Sequence, residues 1–183
     1  AIPTSVSAMM WKFIYNDQYG MFNDLLYRLG IIDSYKAWLS TSSGSFMAMV
    51  ITDVWKTAPY MALLLLAGLQ TIDEGLYEAA KIDGANAVQC FFRITFPLLQ
   101  PTSLLVLVLS SIGVLKSYAL VNSITGGGPG AATKFLVQLI YETAFRKNKM
   151  GYASAMTTVL FLILALLTVV QFKLNKGGEQ DAD

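Results

Sequence analysis

The sequence has no histidine and a single cysteine, Cys90. Zinc sites, Cys-His or Ser-His-Asp catalytic sets and internal disulfides are therefore excluded, because each needs residues that these 183 positions do not contain. Charged residues make up only 14%, and the net charge of +1 gives no reason to expect nucleic acid as a partner. The first residues also lack the basic start and the cleavage site of a signal peptide.

Apolar residues dominate instead, at 55% of the chain with a mean hydropathy of +0.52. This composition is too apolar for a soluble domain of this size, so we expect an all-α, polytopic membrane bundle. Residues 46–69, 98–120 and 153–174 are each long enough to cross a bilayer at about 1.5 Å per residue. Residues 1–15 are typical of the last part of a further span. We therefore expect the chain to begin partway through a longer protein.

A polar segment rich in small residues, 70–97, lies between two of these apolar runs. Thr71 and Glu74 have the spacing of a capping box, which predicts a helix that begins there. Gly84 is expected to end this helix in a left-handed conformation. A second helix is predicted from Val88 to Ile94, and we expect it to stop at Pro97 because proline cannot continue a helix.

This segment resembles the EAA loop of permeases from binding-protein-dependent, ATP-driven importers. The pattern in that family is EAA, three residues, Gly, nine residues, Ile, one residue, Leu and Pro. The matching positions are Glu78, Ala79, Ala80, Gly84, Ile94 and Pro97, with Phe96 in place of the Leu. The resemblance implies a cytoplasmic loop that docks on the ATPase through Glu78, Ala79, Ala80, Asp83 and Gly84. The alternative is an ordinary interfacial helix pair between two spans.

Three further stretches resemble sugar permeases of the maltose type. They are Gly20, Asn23, Leu26 and Gly30 in an external segment, the turn at 124–129 (ITGGGP), and GYASA at 151–155. The resemblance therefore covers nearly all of residues 1–183 and implies the C-terminal part of a permease domain with the MetI-like fold. The turn is not a phosphate-binding P-loop, because Lys134 follows Thr133 outside the GxxxxGK[ST] frame.

The resemblance implies a multi-pass permease subunit in the inner or plasma membrane of a bacterium or archaeon. Its expected partners are a second permease, two cytoplasmic ATPases, an extracytoplasmic solute-binding protein and the lipid bilayer. This chain would be no enzyme and hold no cofactor, since ATP and Mg²⁺ would bind the partner ATPases.

The same resemblance implies a substrate path along two spans. The matching positions are Asp53, Lys56, Thr57 and Tyr60 in the first span and Leu109, Ile112, Gly113 and Lys116 in the second. Charges within spans are costly and mark a protein interior or a water-filled path. Two ammonium groups favour a substrate with a carboxylate or phosphate, so we expect an acidic oligosaccharide. Alternatively, Lys56 pairs with Asp53 and Lys116 snorkels to the membrane surface.

Orientation and function class each leave an alternative. If the EAA loop is inside, the outer segments carry seven basic residues: Lys12, Arg28, Lys36, Lys134, Arg146, Lys147 and Lys149. The inner segments carry four, Lys81, Arg93, Lys173 and Lys176, so the positive-inside rule favours the reverse orientation. The spaced motif is more specific and sets the orientation that we expect. The alternative functions are a permease for amino acids, peptides or another solute, a membrane enzyme using Asp53 and Lys56, and a purely structural subunit.

Overall fold

The computed structural model describes residues 2–180, with side chains through residue 175. Every regular element in this part of the chain is helical. The α-helices are α1 (Thr4–Ile14), α2 (Met21–Arg28), α3 (Ser42–Leu69), α4 (Glu74–Ile82), α5 (Ala87–Cys90), α6 (Phe96–Leu98), α7 (Gln100–Leu115), α8 (Tyr118–Ile124), α9 (Leu136–Tyr141) and α10 (Met150–Gln180). Two π-helical segments, Phe91–Thr95 and Glu142–Arg146, join α5 to α6 and continue α9.

The chain divides into two compact units, and the boundaries between these units fall within the helices α3, α7 and α10. The first unit contains the residues up to Thr57 together with Val114–Phe161. Its core forms where α1 packs on α8 beside the first half of α3. The buried side chains of this core are Ala8, Met49, Leu120, Val121 and Ile124, with Leu39 and Phe135 packed against them.

The second unit contains Ala58–Gly113 and the chain from Leu162 onward. Here α3 and α7 approach closely, because a Cβ on Gly68 would lie 2.6 Å from Thr102 Oγ1. Two hydrogen bonds link α7 to α10: Gln100 Nε2 donates to the Asn175 carbonyl at 3.2 Å, and Gln171 Nε2 donates to Ser111 Oγ at 2.9 Å. Polar side chains therefore fix the contacts between otherwise apolar helices.

Within the described residues, two helices are long and apolar enough to cross a membrane: Ser42–Leu69 and Met150–Asn175. A third candidate is the pair Ala87–Leu98 and Gln100–Leu115, which is bent by 63°. Only 11% of the apolar window of each long helix is buried within the chain. These helices leave their apolar faces to a bilayer or to other protein, which explains why so large a share of the chain is hydrophobic.

Two helix ends differ from the sequence-based expectation. The predicted helix 98–120 is broken at Lys116 and Ser117, so that α7 ends at Leu115 and α8 begins at Tyr118. The second helix of the polar segment does not stop at Pro97, which lies inside α6. The preceding π segment accounts for this, because its wider turns pair Phe96 N–H with the Phe91 carbonyl and reduce the penalty of a residue without an N–H.

Candidate functional site

Helix α4 begins later than the predicted capping box. The Asp73 carboxylate accepts the Gly75 N–H at 2.9 Å and is the N-cap. Thr71 instead donates its hydroxyl to the Gly68 carbonyl at 2.7 Å, at the end of α3. The prediction of a Thr71–Glu74 box was therefore wrong, because the hydroxyl is used to end the preceding helix. Asp73 also places a negative charge at the positive end of α4.

Gly84 ends α4 as predicted, with φ +75°. The Ala85 N–H donates to the Ala80 carbonyl at 2.9 Å and the Gly84 N–H to the Lys81 carbonyl at 3.1 Å, the two bonds of a Schellman motif. A Cβ at Gly84 would meet nothing within 4 Å. The turn therefore needs glycine for its backbone conformation and presents a bare, accessible surface.

The residues that the resemblance assigns to ATPase coupling lie together on this helix and its turn. Glu78, Ala79 and Asp83 are exposed, whereas Ala80 is half-buried. Beside them Ile82 is 87% exposed, an unusual position for a branched apolar side chain on a polar surface. The sequence gives no signal for this exposure, because residue spacing does not show which face of an isolated short helix is covered.

The chain returns toward the next apolar helix through a second capped turn. Asn86 and Gln89 form a reciprocal capping box, with bonds of 2.8 and 2.9 Å between each side chain and the other's N–H. Farther along, the hydroxyls of Tyr77 and Thr95 share a hydrogen bond of 2.8 Å. A cavity of about 320 Å³ lies between the two helices, and its lining includes Asp83, Gly84 and Arg93. The two helices are thus held as one folded loop.

The first four predicted path residues share one face of α3, because they are three or four positions apart. Lys56 Nζ lies 3.6 Å from Asp53 Oδ1, and both side chains are about one-fifth exposed, at 21% and 22%. Lys56 Nζ also donates to Thr4 Oγ1 at 3.3 Å, a contact with α1 for which the sequence offers no signal. Thr57 donates to the Asp53 carbonyl at 2.6 Å, and Tyr60 is 55% exposed.

The second set of path residues lies around the end of α7. Lys116 is exposed in the break that follows this helix, and the other three positions lie within the helix: Leu109, Ile112 and Gly113. An apolar cavity of about 230 Å³ is lined by Asp53 together with Val114 and Ser117, which lie on either side of Lys116 along the chain. The structure therefore brings Asp53 to the same cavity as the residues flanking Lys116, although Lys116 itself is not in the lining.

The glycine-rich turn has positive φ angles, +63° at Gly126 and +93° at Gly127. Gln138 Nε2 donates to the Gly126 carbonyl at 2.8 Å. The hydroxyls of Thr125 and Thr133 are 2.8 Å apart, and Thr133 also donates to the Gly128 carbonyl at 2.6 Å. The turn is therefore held from within by side chains.

Asn23 has a larger structural role than its place in a short motif suggested. It is fully buried, and its amide oxygen accepts Trp38 Nε1–H at 2.8 Å and Lys36 N–H at 3.1 Å. Its amide nitrogen donates to the carbonyls of Lys36 and Asn16 at 2.9 and 3.3 Å. One side chain thus fixes the path of the polar connection between α1 and α3.

The comparisons with known proteins all match this chain to membrane components of transport systems. Residues 1–177 match the family described as "Binding-protein-dependent transport system inner membrane component". The trehalose/maltose transport system permease protein MalF of Thermococcus litoralis is 43% identical over 96% of this chain. The sulfoquinovosyl glycerol transport system permease protein SmoG of Agrobacterium fabrum is 37% identical over 95%, and the sn-glycerol-3-phosphate transport system permease protein UgpA of Brucella abortus is 38% identical over 94%. The chain spans 59%, 56% and 58% of the lengths of these relatives.

A solved structure shares the fold. A chain from a bacterial ABC transporter involved in the import of the acidic polysaccharide alginate superposes with a TM-score of 0.84 at 20% identity. The match covers 96% of this chain and 61% of that one. The two chains therefore share a fold.

Proposed function

Because the chain belongs to the family of inner membrane components of binding-protein-dependent transport systems, we propose that it is a permease subunit of an ATP-driven sugar importer. It lines the translocation path together with a second, similar permease. Two cytoplasmic ATPases bind ATP and Mg²⁺ and hydrolyse the nucleotide, and an extracytoplasmic binding protein delivers the solute. The names of the relatives, all sugar or glycerol-derivative permeases, support this function.

The folded loop from Asp73 to Pro97 transmits the movement of the ATPases. Its docking surface consists of Glu78, Ala79, Ala80, Asp83 and Gly84, and the exposed Ile82 supplies an apolar anchor to it. The cap at Asp73 and the turn at Gly84 keep α4 rigid. The hydrogen bond between Tyr77 and Thr95 carries this proposal, because through it a displacement of α4 moves the helix that leads into α7.

The path residues favour a solute with negative charge. Asp53 largely neutralises Lys56 at 3.6 Å, so the discrimination falls to Lys116, which is exposed in the helix break. Two of the matched proteins are named for anionic solutes, sn-glycerol-3-phosphate and the acidic polysaccharide alginate. The Thermococcus relative is named for trehalose and maltose, which are neutral. An acidic oligosaccharide fits best an ammonium group that has no ion-pair partner among the side chains described, those up to residue 175.

Gly84→Asp in the reconstituted complex tests the docking surface. Asp tolerates a positive φ better than most residues, so the substitution adds a charge at the docking turn with little backbone strain. We expect the complex to assemble but to lose solute-stimulated ATP hydrolysis. Gly84→Asn is the uncharged counterpart and separates charge from bulk.

Gly30→Asp is the matched control. Gly30 also ends a helix with φ +70°, and a Cβ built on it has nothing within 4 Å. The N–H of the next residue, Ile31, donates a hydrogen bond to the Leu26 carbonyl. The same change is thus made in the same local geometry on a segment expected outside the membrane. If Gly84→Asp keeps wild-type stimulation of ATP hydrolysis, or if Gly84→Asp and Gly30→Asp lose it equally, α4 is not the coupling element.

A further inference from the structure

The ammonium group of Lys56 lies closer to a hydroxyl of α1 than to its ion-pair partner on α3. Its Nζ donates to Thr4 Oγ1 at 3.3 Å and is 3.6 Å from Asp53 Oδ1. We propose that Thr4 is a positioning residue, which holds this ammonium group away from the Asp53 carboxylate and so leaves the carboxylate to accept hydroxyl groups of the solute. This inference rests on the proposed sugar-importer function and adds a residue of α1 to the solute path.

The two distances describe different interactions. A hydrogen bond from an ammonium group to a carboxylate oxygen is about 2.7–2.9 Å long, and at 3.6 Å no such bond exists. The opposite charges of Lys56 and Asp53 still attract each other at this distance. Asp53 is therefore compensated in charge by Lys56 without being hydrogen-bonded to it.

Thr4 is held in place because α1 is attached to α3 at two further points. Just past the other end of α1, the Tyr15 hydroxyl donates to the Ala48 carbonyl at 3.2 Å. Between these positions the rings of Trp11 and Trp55 meet edge to face, with their centroids 5.6 Å apart. The hydroxyl of Thr4 is therefore presented by a fixed helix.

Asp53 also borders the space that a solute can enter. It lines the apolar cavity of about 230 Å³, whereas Lys56 does not. Of the described side chains in this lining two are polar, Asp53 and Ser117, and two are aromatic, Phe46 and Phe135. Ligand sites are commonly of this kind, mostly apolar with a few polar groups that orient the ligand. The carboxylate is thus the charged group that the cavity offers to a solute.

The chemistry of the carboxylate explains why the position of Lys56 matters. An ionised carboxylate only accepts hydrogen bonds, and the hydroxyl groups of a sugar can donate them. Such bonds are charge-assisted and stronger than those between neutral groups. An ammonium group bonded directly to Asp53 would compete with the solute for the same oxygens, and Thr4 prevents this by accepting the ammonium proton itself. The effect concerns hydroxyl groups, so it applies to acidic and neutral sugars alike.

Thr4→Val in the reconstituted importer tests this role, because it keeps the shape of the side chain and removes the acceptor. Uptake into proteoliposomes is measured with saturating solute-loaded binding protein, for a uronate oligosaccharide and for a neutral one of the same length. We expect uptake of both to fall about fivefold, the effect of one hydrogen bond. Thr4→Ser keeps the hydroxyl and should behave as wild type. The matched control is Thr157→Val in α10, where the lost hydroxyl donates to the Ala153 carbonyl at 2.9 Å.

Two further measurements separate positioning from a purely structural role. In the neutral pair Asp53→Asn/Lys56→Met, Thr4→Val should cause no further fall in uptake, because no ammonium group is left to position. Cryo-electron microscopy of the Thr4→Val complex should show Lys56 Nζ within about 2.9 Å of an Asp53 carboxylate oxygen, in place of 3.6 Å.

Unchanged uptake in Thr4→Val, an equal loss in Thr157→Val, or the same further loss in the neutral-pair background overturns the proposal. A loss confined to the uronate oligosaccharide also overturns it, because Thr4 would then act on the charge of the solute and not on its hydroxyl groups. A wild-type complex that takes up neither oligosaccharide overturns the proposed function instead. The distance between Lys56 and Asp53 in Thr4→Val then still decides whether Thr4 positions the ammonium group.

Discussion

The hydroxyls of Tyr77 and Thr95 are joined by a hydrogen bond of 2.8 Å across 18 positions of the chain. Tyr77 lies in the middle of α4, and Thr95 is the last residue of the π segment that precedes α6. Both side chains are half-buried. The bond therefore connects the helix proposed to dock on the ATPase with the helix that leads into α7.

Tyr77→Phe should weaken coupling more than it weakens assembly. The substitution removes one bond, worth about 1 kcal/mol, and keeps the ring. We expect fewer solute molecules transported for each ATP hydrolysed in proteoliposomes, by about twofold to fivefold. Thr95→Ser keeps the hydroxyl and should behave as wild type. A transport-to-hydrolysis ratio that is unchanged in Tyr77→Phe would show that the bond is only structural.

Lys116→Gln should reduce the preference for an acidic solute. An exposed ion pair contributes up to about 1 kcal/mol, so we expect about fivefold weaker stimulation by a uronate oligosaccharide. Stimulation by a neutral oligosaccharide of the same length should not change. Lys36→Gln is the control, because it removes an exposed lysine from another segment. An equal loss with both solutes would assign Lys116 to the structure of the helix break.

Gly127→Ala should destabilise the glycine-rich turn. The residue has φ +93°, and a Cβ there would lie 2.8 Å from Gln138 Oε1. The added methyl group therefore meets both backbone strain and a buried amide, at a cost of about 1–3 kcal/mol. Thermal unfolding in detergent measures it. Gly151→Ala, in α10 with nothing within 4 Å of a built Cβ, should be neutral or slightly stabilising.

Acid should weaken the segment around Glu142. The hydrogen bond from Lys134 lowers the pKa of Glu142 from its ordinary value of 4.5, and the nearby charges of Lys134, Arg146 and Lys147 act in the same direction. The resulting stability is present above the ordinary pKa and is lost as pH falls through the lower, folded-state value. We expect the unfolding temperature to drop below about pH 4.5 in the wild type and to drop less in Glu142→Gln. Parallel pH curves for the two proteins would contradict this assignment.

The sequence predicted those features that depend on backbone conformation or on apolar length. Gly84 has the positive φ angle that its position indicated, and α3 and α10 are the long apolar helices. In each case the signal lies in one residue or in one continuous run. The all-α membrane fold could therefore be predicted without tertiary information.

The features that were missed depend on competition between neighbours. Thr71 has two possible partners, and only the folded chain shows that its hydroxyl goes to Gly68 and leaves the N-cap to Asp73. The break at Lys116 and Ser117 contains no proline or glycine, so the sequence predicted one continuous helix through these two residues. Asn23 gains its importance from Lys36 and Trp38, more than ten positions away, which local patterns do not reach.

The ion pair of Asp53 and Lys56 has a consequence for how this chain can vary. With Nζ and Oδ1 at 3.6 Å and each side chain about one-fifth exposed, at 21% and 22%, the loss of either partner leaves the other charge uncompensated in an apolar helix. Single substitutions at these positions should therefore be selected against, whereas paired ones survive. Cells that carry a library randomised at both positions can be selected for growth on the transported sugar. The survivors should carry opposite charges or two neutral residues, so that the residues at positions 53 and 56 covary.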